Sequence, residues 1–150
     1  MDSEALIRPM RDADAEAVAR IQAATPEASQ WDPRGYLAFD AFVAEVENEV
    51  AGFVVLRRTA PDEAEILNLA VAPARRRQGL ARRLLEHAAL ARPVALFLEV
   101  RESNHGAQAL YRALGFTAYG RRPGYYERPA EAAVLMRRDP QKTSKDSLQR

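Results

Sequence analysis

The stretch Arg76-Arg77-Gln78-Gly79-Leu80-Ala81 stands between an apolar run, Ile66-Leu67-Asn68-Leu69-Ala70-Val71, and an amphipathic segment from Leu80 to about Leu90. That order predicts a strand, a tight glycine turn and a helix start. N–H groups in the first turn of a helix have no intrahelical acceptor, and the helix dipole adds positive potential there. The junction therefore suits a phosphate held by main-chain donors. Gly79 lets the backbone close on such a ligand, where a side chain would hold it away. Neither the P-loop pattern nor the G-x-G-x-x-G dinucleotide fingerprint occurs in the chain.

Downstream, Pro93 ends the helix, and Val94-Ala95-Leu96-Phe97-Leu98-Glu99-Val100 reads as a strand buried on both faces. Ser103-Asn104 can cap a helix through Leu110 and Tyr111, closed by Gly115 and continued as Phe116-Thr117-Ala118-Tyr119. Upstream, Ala5 to Arg8 reads as a strand, and Asp12 as the cap of a helix reaching Ala24. After a loop over Pro26 to Gly35 and a helical piece at Tyr36 to Phe39, Phe42–Val46 and Val50–Arg57 form a hairpin, followed by a strand over Glu65–Val71. The last strand closes at Met136. The order β-α-α-β-β-β-α-β-α-β-β predicts a mixed, mostly antiparallel sheet flanked by helices. One domain is expected over 1–138, with a polar, mobile tail over 139–150.

The chain's 150 residues suit one small domain. With no cysteine it has no disulfide framework, cysteine nucleophile or thiolate metal site, and it is compatible with a reducing cytoplasm. The N-terminus is acidic where a signal peptide would be basic and then apolar, and no apolar run reaches membrane-spanning length. The net charge of +1 creates no general pull toward nucleic acid. The cluster Arg75-Arg76-Arg77 with Arg82 and Arg83 has no interleaved aromatic platform, so a nucleic-acid role ranks below small-anion binding. His87 and His105 are the only histidines, and neither has a partner at metal-ligand or triad spacing. The expectation is no metal, no membrane and no nucleic acid.

The spacing Arg76-x-x-Gly79-x-Ala81 resembles the acyl-CoA pyrophosphate loop of the GCN5-related N-acetyltransferase (GNAT) superfamily. Asn104-x-x-Ala107-x-x-x-Tyr111-x-x-x-Gly115-Phe116 is similar to that superfamily's second signature. Within it, the pattern is most similar to the ribosomal-protein-alanine N-acetyltransferases. It is carried by Asn68-Leu69-Ala70-Val71, Leu98-Glu99-Val100-Arg101-x-Ser103-Asn104, Leu110-Tyr111-x-x-Leu114-Gly115-Phe116 and Arg122-x-x-Tyr125-Tyr126. The resemblance covers roughly Glu63 to Met136. It implies an α/β (α+β) GNAT fold: a mixed, mostly antiparallel seven-stranded sheet, about four helices and two splayed parallel central strands. It also implies acetyl-CoA as cosubstrate, with pantetheine along Leu69, Ala70 and Val71. The pyrophosphate would lie on Arg76, Arg77, Gln78, Gly79, Leu80, Ala81 and Arg82, and Asn104 and Tyr111 would approach the coenzyme.

An α-amine, with a pKa near ~8, or a lysine, near ~10.4, must lose a proton before it attacks a thioester. Glu99, the sole charge in its strand, is the first candidate base, its burial raising its pKa; Glu65 is the second. The alternative for Glu99 is an ion pair with Arg101 or Arg122. Tyr111 is the candidate acid for the departing thiolate, against simple packing. A strand N–H near Val71 would meet the oxyanion. Trp31, Tyr36, Arg122, Tyr125 and Tyr126 are expected to line the acceptor groove. Gln30-Trp31, Ala81 and Glu131-Ala132-Ala133 depart from the subfamily pattern and bear on acceptor identity. Direct transfer to a protein N-terminal amine is the leading reading. A small amine acceptor and a non-catalytic acyl-CoA module are the alternatives, with monomer and homodimer both open.

Overall fold

The structure, a computed structural model, describes residues 4–26, 28–90 and 94–140. Its strands are β1 (Leu6–Pro9), β2 (Asp40–Val46), β3 (Glu49–Ala60), β4 (Glu63–Val71), β5 (Ala95–Arg101), β6 (Thr117–Glu127) and β7 (Ala130–Arg138). The helices are α1 (Ala15–Ala23), α2 (Leu80–Leu90) and α3 (His105–Ala113), with a six-residue 3-10 helix at Pro33–Ala38. The strands form one mixed seven-stranded sheet in the order β1-β2-β3-β4-β5-β7-β6. The chain forms two compact units, residues 1–58 with 66–91 and residues 59–65 with 92–150. The polar tail expected from 139 on lies, from 141, outside the described residues, as do Pro93 and its helix-ending role.

In the first unit, β1 and β3 flank β2 antiparallel, Leu6 opposite Glu45 and Phe42 opposite Val54. The β2–β3 turn sets Glu47 and Asn48 at φ 52° and 66°, the left-handed pair that matches the twist of a two-residue hairpin. Val18, Ile21, Val43, Phe53 and Val55 close one core with Tyr36, whose ring stacks on Phe53 at 5.9 Å. Gly52 in β3 has no room for a side chain: a Cβ there would sit 3.0 Å from the Ala70 carbonyl oxygen and 3.2 Å from Leu84 Cδ1 of α2.

The start of α1 differs from the expectation at Asp12. Residues Asp12–Asp14 make a 3-10 turn, the α-helix begins at Ala15, and Asp14 is the carboxylate that matters. Arg8 captures it, donating to its two oxygens at 2.8 and 2.9 Å and to Glu45 Oε2 at 2.9 Å, while the Arg11 N–H donates to Asp14 at 2.7 Å. The Arg8 hydrogen bonds hold the Asp14 carboxyl below the usual carboxylate range.

In the second unit, β7 lies between β5 and β6, antiparallel to both, from Leu96 opposite Arg138 to Glu127 opposite Ala130. The start of β4 joins β5 in parallel, with Glu63 opposite Ala95, Ala64 opposite Leu96 and Glu65 opposite Phe97. The rest of β4, from Ile66, belongs to the first unit. Asn104 caps α3, its side chain accepting from the Ala107 N–H at 3.1 Å, and Gly115 ends the turn at φ +97°. Two expectations change. β5 is not buried on both faces, because Phe97, Glu99 and Arg101 form a half-buried row opposite Leu96, Leu98 and Val100. β6 extends through Pro123 and Gly124 to Glu127, with register breaks at Ala118/Gly120 and Arg122/Tyr126.

Candidate functional site

The glycine loop forms as expected. Gly79 sits at φ +76°, Arg77 also enters the left-handed region at φ +65°, and α2 starts at Leu80. The Arg83 N–H closes the first turn on the Gly79 carbonyl at 3.0 Å, which leaves the N–H groups of Leu80, Ala81 and Arg82 at the head of the helix. No heavy atom lies within 4 Å of where a Gly79 Cβ would be, so the glycine serves the φ angle and opens on free space. This suits an anion.

The arginines around the loop divide by task. Arg75 reaches Glu47 at 3.0 Å, Arg83 donates to the Ala5 carbonyl at 3.0 Å, and Arg82 pairs with Glu86 at 3.9 Å. Arg76 donates to the Val71 carbonyl at 3.4 Å and to Thr25 Oγ1 at 3.3 Å, bracing the loop against its own unit. Arg77, Gln78 and Gly79 are exposed, whereas Leu69 and Ala70 are buried and Val71 half-buried.

Of the aromatic residues expected to line an acceptor groove, Trp31 is 51% exposed but Tyr36 is only 2% exposed. Tyr36 is a core residue, a correction to its reading as a groove residue. Its ring stacks on Phe53, and its hydroxyl donates to Gln22 Oε1 and accepts from Asn68 Nδ2 at 3.0 Å. Burial pushes its phenol pKa up and the Asn68 hydrogen bond opposes that. Sequence reasoning missed Gln22 and Asn68. An amide in the middle of the apolar run Ile66–Val71 was the available signal, because a buried amide must find partners.

In the second unit, Thr59, Glu63, Glu65, Phe97, Leu98, Glu99 and Tyr119 line a recess of about 280 Å³. The parallel register sets Glu65 opposite Phe97, so both candidate bases stand on the same face of the sheet, on adjacent strands. Phe97 and Tyr119 meet edge to face at 6.1 Å.

Glu99 is less enclosed than a buried strand would make it. Its side chain is 27% exposed, with an Arg122 nitrogen, on a side chain 62% exposed, 3.8 Å from its Oε1. The Tyr125 hydroxyl donates to Glu99, which pushes that phenol up to about 12. The Arg122 guanidinium lies 4.8 Å from the centre of the Tyr125 ring, and Tyr125 and Tyr126 meet edge to face at 4.9 Å. Arg101 lies 4.2 Å from the Tyr126 ring centre and pairs with Glu131 at 3.0 Å. Glu131 in turn accepts from the Ser103 N–H at 2.8 Å and hydroxyl at 3.0 Å, which holds its carboxyl below the usual range. Glu65, Glu99, Arg122, Tyr125 and Tyr126 therefore belong to one unit, and direct contacts join the last four.

Tyr111 is buried on α3, edge to face with Phe116 at 5.4 Å, and burial pushes its phenol up. It stays a protonated donor across the physiological range. His87 and His105 are exposed, as expected, though His87 rests edge-on against Phe42 at 5.2 Å. Among the described residues, no group of three or more His, Asp or Glu is placed to hold a metal ion, and no helix is long and apolar enough to cross a membrane.

Residues 7–116 match the model of the Acetyltransferase (GNAT) family. The chain is 44% identical over 90 residues to the N-alpha-acetyltransferase RimI of Mycobacterium tuberculosis, covering 59% of this chain and 57% of that protein. It is 52% identical over 81 residues to the [ribosomal protein bS18]-alanine N-acetyltransferase of Escherichia coli, covering 50% of this chain and 55% of that protein. Each match spans little more than half the length of the curated relative. The crystal structure of the ribosomal-protein-S18-alanine N-acetyltransferase from Escherichia coli superposes with a TM-score of 0.74 at 31% identity, over 93% of this chain and 96% of that one.

Proposed function

Because the chain belongs to the GNAT acetyltransferase family, we propose that it transfers acetyl from acetyl-CoA to the N-terminal α-amine of a protein, a cytoplasmic ribosomal protein being the leading class. The observation that carries the reading is the pair of carboxylates, Glu65 and Glu99, in a recess that Phe97 and Tyr119 also line. Bound acetyl-CoA supplies an activated thioester. The residues suited to hold it are the exposed Gly79 loop, with the leading N–H groups of α2 for the pyrophosphate, and the backbone of Leu69–Val71.

Glu99 takes the proton from the incoming ammonium, so that the amine lone pair is free to attack. Its contacts with Arg122 and Tyr125 fix the carboxylate and leave part of it exposed to the acceptor. Glu65, one strand away, orders the approach through water. The Tyr111 hydroxyl, kept protonated by burial, gives its proton to the departing sulfur. Arg122, Tyr125 and Tyr126 of the second unit are the acceptor-binding residues there, and the exposed Trp31 of the first unit is read as an acceptor contact of its own. The presence of Glu63 beside Glu65 and Glu99 favours a second reading, a small cationic amine as acceptor.

Release of free thiol from acetyl-CoA, measured against a panel of N-terminal peptides and small amines, separates the two. Peptide-dependent turnover that falls at least about 100-fold in Glu99→Gln and in Tyr111→Phe is the expected result. Turnover confined to small amines selects the second reading. Acetyl-CoA binding without turnover on any acceptor overturns both.

A further inference from the structure

Asn68 holds a loop through its side chain in the way a strand holds its neighbour through its backbone. Its Oδ1 accepts from the Ser29 N–H at 3.2 Å while its Nδ2 donates to the Ser29 carbonyl at 2.9 Å, so one side-chain amide grips both polar groups of one main-chain residue. The same Oδ1 accepts from the Leu69 N–H at 3.1 Å, and the same Nδ2 reaches Gln22 Oε1 at 3.1 Å and the Tyr36 hydroxyl at 3.0 Å. Gln22 extends the grip, its Nε2 donating to the Trp31 carbonyl. Its own backbone carbonyl accepts from Gln30 Nε2 at 2.8 Å. Asn68 and Gln22 are each only 4% exposed.

The loop from Ser29 to Tyr36 is thus pinned by its backbone at Ser29 and Trp31 and by its side chains at Gln30 and Tyr36. The indole of Trp31 is left facing outward. The strand that does the pinning continues directly into Leu69–Val71. We propose that Asn68 is a positioning residue: through Gln22 and Tyr36 it sets the acceptor-facing loop from the strand that receives the acyl donor. This rests on the acetyl-transfer reading of Trp31 and of Leu69–Val71. A buried and fully partnered amide gives such a wall its position before the acceptor arrives, which lowers the cost of ordering it on binding.

Trp31 is the chain's single tryptophan, so its fluorescence reports the loop without ambiguity. The test compares wild type with Asn68→Ala and with Tyr36→Phe, which removes one hydroxyl and spares the packing. It measures acrylamide quenching of Trp31, and steady-state KM and kcat for an acceptor peptide found in the panel above. In Asn68→Ala the expected results are stronger quenching and an acceptor KM raised about tenfold, with kcat changed less than about threefold. Tyr36→Phe should move both readouts in the same direction and by less.

Unchanged quenching in both variants overturns the proposal. So does stronger quenching with an unchanged acceptor KM, or a loss spread equally over kcat and the KM values for both substrates, which a merely structural role would give. Stronger quenching in a protein that turns over no amine at all overturns the acetyl-transfer reading instead, and upholds the grip on the loop.

Discussion

The cluster of Gln22, Tyr36 and Asn68 in the first unit and the cluster of Glu99, Arg122 and Tyr125 in the second are both polar, and both join segments distant in sequence. They are enclosed to opposite degrees. The first consists of neutral groups that are buried and partnered by side chain and backbone alike. The second consists of two charges and a phenol left partly in water, the charges 3.8 Å apart. Burying an amide is tolerated once its hydrogen bonds are made, whereas burying a carboxylate costs far more. Of these two clusters, the buried one is built from neutral groups and fixes a loop. The charges of Glu99 and Arg122 stand instead at a surface, where water shares in their solvation.

The largest effect that would break this contrast belongs to the buried side. Asn68→Leu strands both polar groups of Ser29 and removes one donor each from Gln22 Oε1 and the Tyr36 hydroxyl, and should cost about 3 kcal/mol in denaturant unfolding. A loss no larger than that of a surface substitution would mean the cluster is not the fixed one.

The second prediction concerns Tyr125, whose phenol is raised in the folded chain. A group raised on folding contributes stability that is present below its unfolded value near ~10 and is lost as pH rises through the folded one, about 12. Absorbance titration of the tyrosinates should show Tyr125 ionising late in wild type, and earlier, toward ~10, in Glu99→Gln. No change on that substitution would mean that the pair does not bond in solution.

The smallest effect should come from Arg122→Ala. With Arg122 exposed, Glu99 partly so and a long separation, the ion pair should contribute less than about 0.5 kcal/mol to unfolding free energy. A cost above that of Asn68→Leu would reverse the comparison.

Much of the fold was legible because its signals were local. The strand, glycine and helix around Gly79 follow from apolar periodicity and one φ angle, and the Asn104 cap from its spacing to Ala107. Less local facts were hidden. Asp12 is the cap that the sequence suggests, yet the carboxylate held at this turn is Asp14, because Arg8 arrives from β1 to pair with it. Pro123 and Gly124 mask the strand character of β6, which depends on pairing with β7 rather than on its own residues.

The candidate site divides in the same way. Glu99 could be named as the sole charge in its apolar run, with Glu65 second, and their shared face followed once the parallel register was known. Tyr36 and Trp31 look alike in sequence, yet one is core and the other surface, because exposure depends on what Phe53, Gln22 and Asn68 do some distance away. The partners of Glu99 likewise come from β6, as Arg122 and Tyr125, and not from the apolar run around it.

The irregular course of β6 has a further effect. As the outermost strand beside β7 it presents a rim of main-chain donors and acceptors, the kind of template on which foreign chains stack into amyloid. Two breaks in register, a proline with no N–H to offer and the adjacent charges of Arg121 and Arg122 interrupt that rim along its length. The distortion near Tyr125 thereby also protects the molecule from growing onto its neighbours.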